Sequence, residues 1–188
     1  MSTVTHLTIA EYDRMISAGA FDPREQNRLE LIYGELREMT PIGSEHEVIV
    51  DYLAEWSILS LPRGKVRVRV QNSIGIPILD SAPEPDLAWV VRRDYRRGRP
   101  TGEDVLLVIE VSESTLRFDL GTKAELYAAA DISDYWVVDI AARAIVVHRD
   151  PAAGRYRDVR TYRESDDLRP LQVPEISLCP ASLWHPES

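Results

Sequence analysis

One cysteine, Cys179, stands in a chain of 188 residues, so no internal disulfide can form. Set between Leu178 and Pro180, it reads as a small apolar side chain. No apolar run approaches the ~20 residues that span a bilayer. The first residues, Met1 to His6, carry neither the basic head nor the apolar stretch of a secretory leader. These absences predict a cytoplasmic protein with no membrane partner. Repeats, low-complexity tracts and an interdomain linker are also missing. A single domain over residues 1–188, with its core at about 7–183, is the expectation. Positive charge is in deficit: 22 Lys and Arg face 31 Asp and Glu, for a net charge of −9. That balance argues against strong non-specific DNA binding, although an acidic whole can carry a basic face. No helix-turn-helix, zinc-finger or aromatic RNA-binding signature is present. His6, His148 and His185 show no spacing for zinc.

What is there is a mixture of helical and strand patterns. Thr8 to Glu11 is a capping box, and the spacing predicts a helix to Ala18, stopped by Gly19. Asp22 to Glu25 reads as a turn. Residues 28–39 read as a hairpin turning at Tyr33-Gly34, with Pro41 and Gly43 ending the unit. Residues 44–61 read as a helix capped by Ser44, with Val48, Tyr52, Leu53, Trp56 and Leu59 on its packed side. Residues 65–71 alternate strictly, with Val66, Val68 and Val70 inward and Arg67, Arg69 and Gln71 opposite. Residues 87–91 and 105–111 are apolar runs that read as buried strands, separated by an arginine-rich loop at 92–100. Asp119 reads as the cap of a helix through Ala130, with Leu120, Ala124, Tyr127 and Ala128 packed. Residues 134–139 and 144–148 are further strands. A turn at 150–154 leads into a last strand at 155–162. The whole reads as a mixed α+β or α/β domain, with strands 105–111 and 135–139 joined in parallel through the intervening helix.

The residue most in need of explanation is Glu110, a charge inside the most apolar strand. Burying a charge is costly unless it is paired or binds a metal. Asp86 stands at the entrance of the preceding strand. If the two strands are neighbours, their carboxylates converge, and hard oxygen ligands of this kind suit magnesium or manganese. Such an ion acidifies a bound water and offsets phosphoryl charge. Lys123, on the next helix, is placed to orient water or stabilise developing charge, and Glu113 to hold an outer-shell water. Each residue has a plainer reading. Asp86 caps a turn after Pro85, Glu110 pairs with Arg67 or Arg69, and Lys123 is a surface lysine. His46, in the first turn of the long helix, reads either as a base or phosphate contact or as a locally bonded histidine. Nucleic-acid contact has two candidate surfaces: Arg67, Arg69 and Gln71, or the loop of Arg92, Arg93, Arg96, Arg97 and Arg99 around Tyr95.

Several stretches together resemble one known family. They are Thr8 to Tyr12, Leu29 to Glu35, Pro41 to His46, Glu84-Pro85-Asp86, Val108 to Ser112, Asp119 with Lys123 and Tyr127, and Asp134 to Asp139. In that order they are similar to the Uma-two family of restriction endonucleases, within the PD-(D/E)XK nuclease superfamily. The resemblance covers residues 7 to 183. It implies a restriction-endonuclease-like fold, a mixed central sheet flanked by helices. It implies Asp86 as the Asp of the PD motif and Glu110 as its second acid, and Glu30 as a further acid at the site; on the leading reading Asp86 and Glu110 hold Mg2+ or Mn2+, with the Val111 carbonyl as a third ligand. It also implies DNA as substrate and a homodimer. One departure stands out: Ser112 occupies the position where the superfamily carries its lysine, and the resemblance suggests Lys123 in its place. A metal-dependent endonuclease hydrolysing DNA phosphodiesters is the leading expectation. The alternatives are a catalytically silent nuclease-fold binding module and a metal-dependent phosphohydrolase of a small phosphoester.

Overall fold

The computed structural model describes residues 6–21, 28–39, 42–62 and 64–185. The turn expected at Asp22 to Glu25, and Pro41, lie outside the described residues. Helix α1 (Ile9–Ser17) opens on the capping box. The Thr8 hydroxyl accepts from Glu11 N–H at 3.2 Å, and Glu11 accepts from Thr8 N–H at 2.8 Å. Strands β1 (Leu29–Ile32) and β2 (Glu35–Glu38) form the expected hairpin. Its two turn residues, Tyr33 at φ 51 and Gly34 at φ 76, are both left-handed, which matches the twist of an antiparallel pair. Backbone bonds between Leu31 and Ala82 fasten this hairpin to the segment that precedes Asp86.

A six-stranded sheet forms the centre, in the order β3 (Val66–Val70), β4 (Leu87–Val91), β5 (Val105–Ser112), β6 (Asp134–Asp139), β7 (Ala144–Ala152) and β8 (Arg155–Tyr162). Only β5 and β6 run parallel. Their crossover is a single helical run: α3 (Leu116–Phe118), a π-turn (Asp119–Lys123) and α4 (Ala124–Ala129). A short α5 (Ala181–Trp184) closes the chain against α2 (Ser44–Ser60). Side chains alternate across the sheet. Leu87, Trp89, Leu107, Ile109, Val111, Trp136 and Val138 meet α2 on one face. Ala88, Val90, Val108, Tyr135 and Val137 meet α4 on the other.

Six expectations need correction. Helix α2 is capped by Gly43, without a side-chain bond, and Ser44 is its first residue. Its buried face is His46, Ile49, Val50, Leu53 and Ser57, while Val48 and Leu59 are exposed. The polar members face inward because they have partners there: Trp89 Nε1–H donates to Ser57 Oγ at 2.9 Å. Asp119 is not a cap, because the helical run begins before it, and Leu120 is exposed. Strand β7 continues to Ala152, so the turn tightens to Ala153 and Gly154, again both at positive φ. Cys179 is exposed, with its thiol against Glu164 O.

Candidate active site

Alternation along β5 places Glu110 on the α4 side of the sheet, opposite Ile109 and Val111. Asp86 lies where β4 begins. Its Oδ2 accepts from Val111 N–H at 2.9 Å and from His46 Nε2 at 3.1 Å. Its Oδ1 accepts from the Gln71 amide at 3.4 Å. Glu110 Oε1 accepts from Lys123 Nζ at 3.0 Å and from Tyr127 OH at 2.8 Å. Its Oε2 meets Asp86 N–H at 3.4 Å. Lys123 Nζ stands 3.5 Å from Glu30 Oε2 and 3.9 Å from Asp119 Oδ1. Glu30 is fixed in turn by Glu84 N–H at 3.2 Å. The structure thus brings Asp86, Glu110, Lys123, Glu30 and His46 to one place, all of them buried.

The π-turn explains how a helix-borne lysine gets there. One wide turn shifts the register of every following side chain, and such turns collect at functional sites. It also leaves backbone carbonyls without their usual partner. Asp119 O is satisfied by Tyr135 OH at 3.0 Å. The Asp119 carboxylate accepts from Ser112 Oγ at 2.7 Å and from the Thr115 hydroxyl. Ser112, in the position of the absent lysine, therefore ties down the acid that flanks Lys123. Glu113 is exposed and packs on Gly43 at the start of α2. A Cβ on Gly43 would lie 2.8 Å from Glu113 Oε2.

The cluster holds more acid than base. Burial pushes Glu110 up to about 8. Lys123 works against that rise, and Asp119, Asp86 and Glu30 add to it. Burial opposes the charge on Lys123, but Glu110, Glu30 and Asp119 outweigh it and raise the ammonium well above its ordinary value. Burial likewise opposes the charges of Asp86 and His46. Their mutual hydrogen bond and attraction prevail, lowering Asp86 and raising His46. Lys123 is accordingly a fixed cation, and the His46–Asp86 contact favours the charged form of each partner. His46 Nδ1 is buried without a partner among the described residues.

A cleft of ≈ 700 Å³ opens onto these groups. Beyond the acids and Lys123, its walls include Arg28, Arg37, Ile42, Glu113 and Phe118. Arg28 and Arg37 were not foreseen. They lie on the hairpin beside Glu30, and the bridge to Ala82 that carries the hairpin here is a long-range contact without a local pattern. The arginines that were foreseen lie elsewhere. Gln71 is turned to Asp86 rather than outward. Arg69 is half-buried, with a long bond to Ser73 O and its guanidinium 5.9 Å over the Tyr95 ring. Arg93 pairs with Asp104, Arg96 with Asp94, and Arg99 with Asp13. Arg67 and Arg92 are exposed and do not line the cleft. Glu110 pairs with Lys123 rather than with Arg67 or Arg69. Among the described residues no group of three or more His, Cys, Asp or Glu side chains is disposed to hold a metal ion, and no helix is long and apolar enough to cross a membrane.

Comparison with known proteins gives the chain relatives. No curated protein sequence matches it. A solved structure described as "a putative nuclease belonging to DUF820", from Anabaena variabilis, superposes with a TM-score of 0.70 over 95% of this chain and 97% of its own, at 15% identity. That likeness shows a shared fold, the restriction-endonuclease-like type. A family model described as "Uma2: Putative restriction endonuclease" matches residues 9–181, which include every acid and the lysine of the cleft. The chain belongs to the Uma2 family.

Proposed function

We propose that the protein is a divalent-metal-dependent endonuclease that hydrolyses DNA phosphodiester bonds at the Asp86–Glu110 cleft. The observation that carries this reading is the unequal use of the two carboxylates' oxygens. Asp86 Oδ2 and Glu110 Oε1 each take two short bonds, whereas Asp86 Oδ1 and Glu110 Oε2 each have one long contact of 3.4 Å among the described residues. Two hard oxygens with spare lone pairs, in a cluster oversupplied with acid, fit magnesium or manganese. Asp86 and Glu110 would hold the ion. In an extended strand the N–H and C=O of one residue leave on the same side. Val111, whose N–H meets Asp86, therefore offers its carbonyl as a third donor. When bound, such an ion acidifies a water and offsets phosphoryl charge.

The chain's own residues divide the rest of the work. Lys123, held as a cation by three acids, stabilises negative charge on the phosphate and does not act as a base. Tyr127 fixes its partner Glu110, and Glu30 holds the lysine itself. His46, bonded to Asp86 through Nε2, orients that carboxylate toward the ion. Arg28 is oriented by Glu84 at 2.9 Å and keeps donors for an incoming phosphate. The test is nicking of supercoiled and linear DNA with Mg2+ or Mn2+. Cleavage that EDTA abolishes, and that Asp86→Asn and Glu110→Gln each lower by about 10²-fold or more, is the expected result. No cleavage of DNA or RNA with either metal, together with no divalent binding by titration calorimetry, rules the reading out.

A further inference from the structure

We infer that the cleft takes an unpaired DNA strand rather than continuous duplex. The inference rests on the nuclease reading above and concerns which form of DNA reaches the acids. Asp86 and Glu110 are only 6% and 4% exposed. A scissile phosphate must come within metal-bridging reach of them, with ion–oxygen bonds of roughly 2.0–2.6 Å. The route is a cleft of ≈ 700 Å³, in the size class of small-ligand pockets, enough for one or two nucleotides. A duplex brings two strands and a stacked core to the same opening. A single strand brings one backbone that can bend inward.

The distribution of cations points the same way. Duplex binding is driven by many Lys and Arg contacts to phosphate. Here three of the five arginines of the 92–99 loop are paired, Arg93 with Asp104, Arg96 with Asp94 and Arg99 with Asp13, Arg92 and Arg97 are exposed, and none of the five lines the cleft. The cleft itself offers two arginines, Arg28, paired with Glu84, and Arg37, 3.9 Å from Glu35. Against a net charge of −9, that is a short footprint.

The cleft wall also offers a surface for an unstacked base. The Arg37 guanidinium sits 4.7 Å over the Phe118 ring, with Ile42 also in the wall. Arg37 is exposed and Phe118 half-buried. Unpaired bases stack on aromatic rings and on guanidinium planes, and duplex bases, already stacked, do not present a face. Phe118 immediately precedes the π-turn that carries Lys123, and Lys123 Nζ lies 5.9 Å from its ring centroid, so a base resting there lies close to the acid cluster.

The test uses the full chain, fluorescein-labelled 12-mers as single strand and blunt duplex of the same sequence, and Ca2+ to hold complexes uncut. The expected result is single-strand affinity at least about tenfold above duplex. The salt slope should lie near −1.4, from two contacts at about −0.7 each for single strands. Phe118→Ala should weaken single-strand binding by about tenfold and abolish quenching of a 2-aminopurine base, whereas Phe118→Trp retains both. Should Phe118→Ala fail to fold, Phe118→Leu, which keeps the packing and removes the ring, gives the same reading. Duplex bound as tightly as single strand, or a slope of −5 or steeper, overturns the inference while leaving the nuclease reading standing. Absence of cleavage of every nucleic acid with Mg2+ and Mn2+ fails the nuclease reading instead.

Discussion

Lys123 and Tyr127 share one oxygen of Glu110, and they are not interchangeable. The lysine supplies charge and the tyrosine supplies direction. Lys123→Met should lower cleavage by about 10²-fold and should also lower the thermal midpoint, because it leaves Glu110, Glu30 and Asp119 buried without their shared cation. Initial nicking rates and circular dichroism check the two halves. His148 makes a different kind of prediction. It is buried between the Tyr135 and Tyr156 rings, and its Nδ1 has no partner among the described residues. Burial lowers it below the ordinary value of 6.5, against the backbone carbonyls of Tyr135 and Val146. Folding therefore prefers the neutral ring. That contribution is fully present above 6.5 and is lost as pH falls from 6.5 through the folded value. In His148→Phe, the drop in denaturation midpoint between pH 7 and pH 5.5 should be smaller than in the parent. At this scale the sequence was most legible where a charge interrupts an apolar run. Asp86 and Glu110 announce themselves in that way, and Lys123 is one of two lysines in the chain. Arg28 and Arg37 do not, because an arginine in a polar hairpin looks like any solvated side chain.

Among the elements, strands were read more accurately than helices. Alternation along β3 and β4 leaves one choice of face, and Tyr33-Gly34 selects one kind of turn. Helix α2 offers apolar residues on every side, so periodicity chose Val48 and Leu59 over Ile49 and Val50. What decides the face is two polar appointments across the core, His46 with Asp86 and Ser57 with Trp89, which no local pattern reveals. Ser57→Ala removes the second. It should cost about 1–3 kcal/mol in urea unfolding, since the buried Trp89 Nε1–H is then unpartnered. A Ser57→Ala midpoint equal to the parent's means that the bond does not hold α2 in its orientation. The π-turn was equally hidden. Residues 119–123 carry nothing that demands a wider turn, and its support comes from Ser112 and Tyr135, on neighbouring strands.

For the molecule as a whole, the acid-rich site sits on the surplus that also sets the net charge of −9. An ion bound there stabilises the native state by mass action. At about 100 times its dissociation constant, Mn2+ should add ~2.7 kcal/mol, a rise of several degrees in a single thermal transition. Asp86→Asn should erase that rise, and a shift unchanged in the variant would place the ion elsewhere. The sheet order has a further consequence. Strands β3 to β8 lie side by side in the order in which they occur in the chain, and every side chain that meets at Glu110 comes from residues 30 to 127. A ribosome therefore synthesises every residue of the acid cluster before β7, β8 and the tail whose Leu168, Leu178 and Leu183 seal the α2 side of the core. A translation product interrupted after α4 carries all the chemistry on an unsealed core, and its defect is one of aggregation rather than of missing groups.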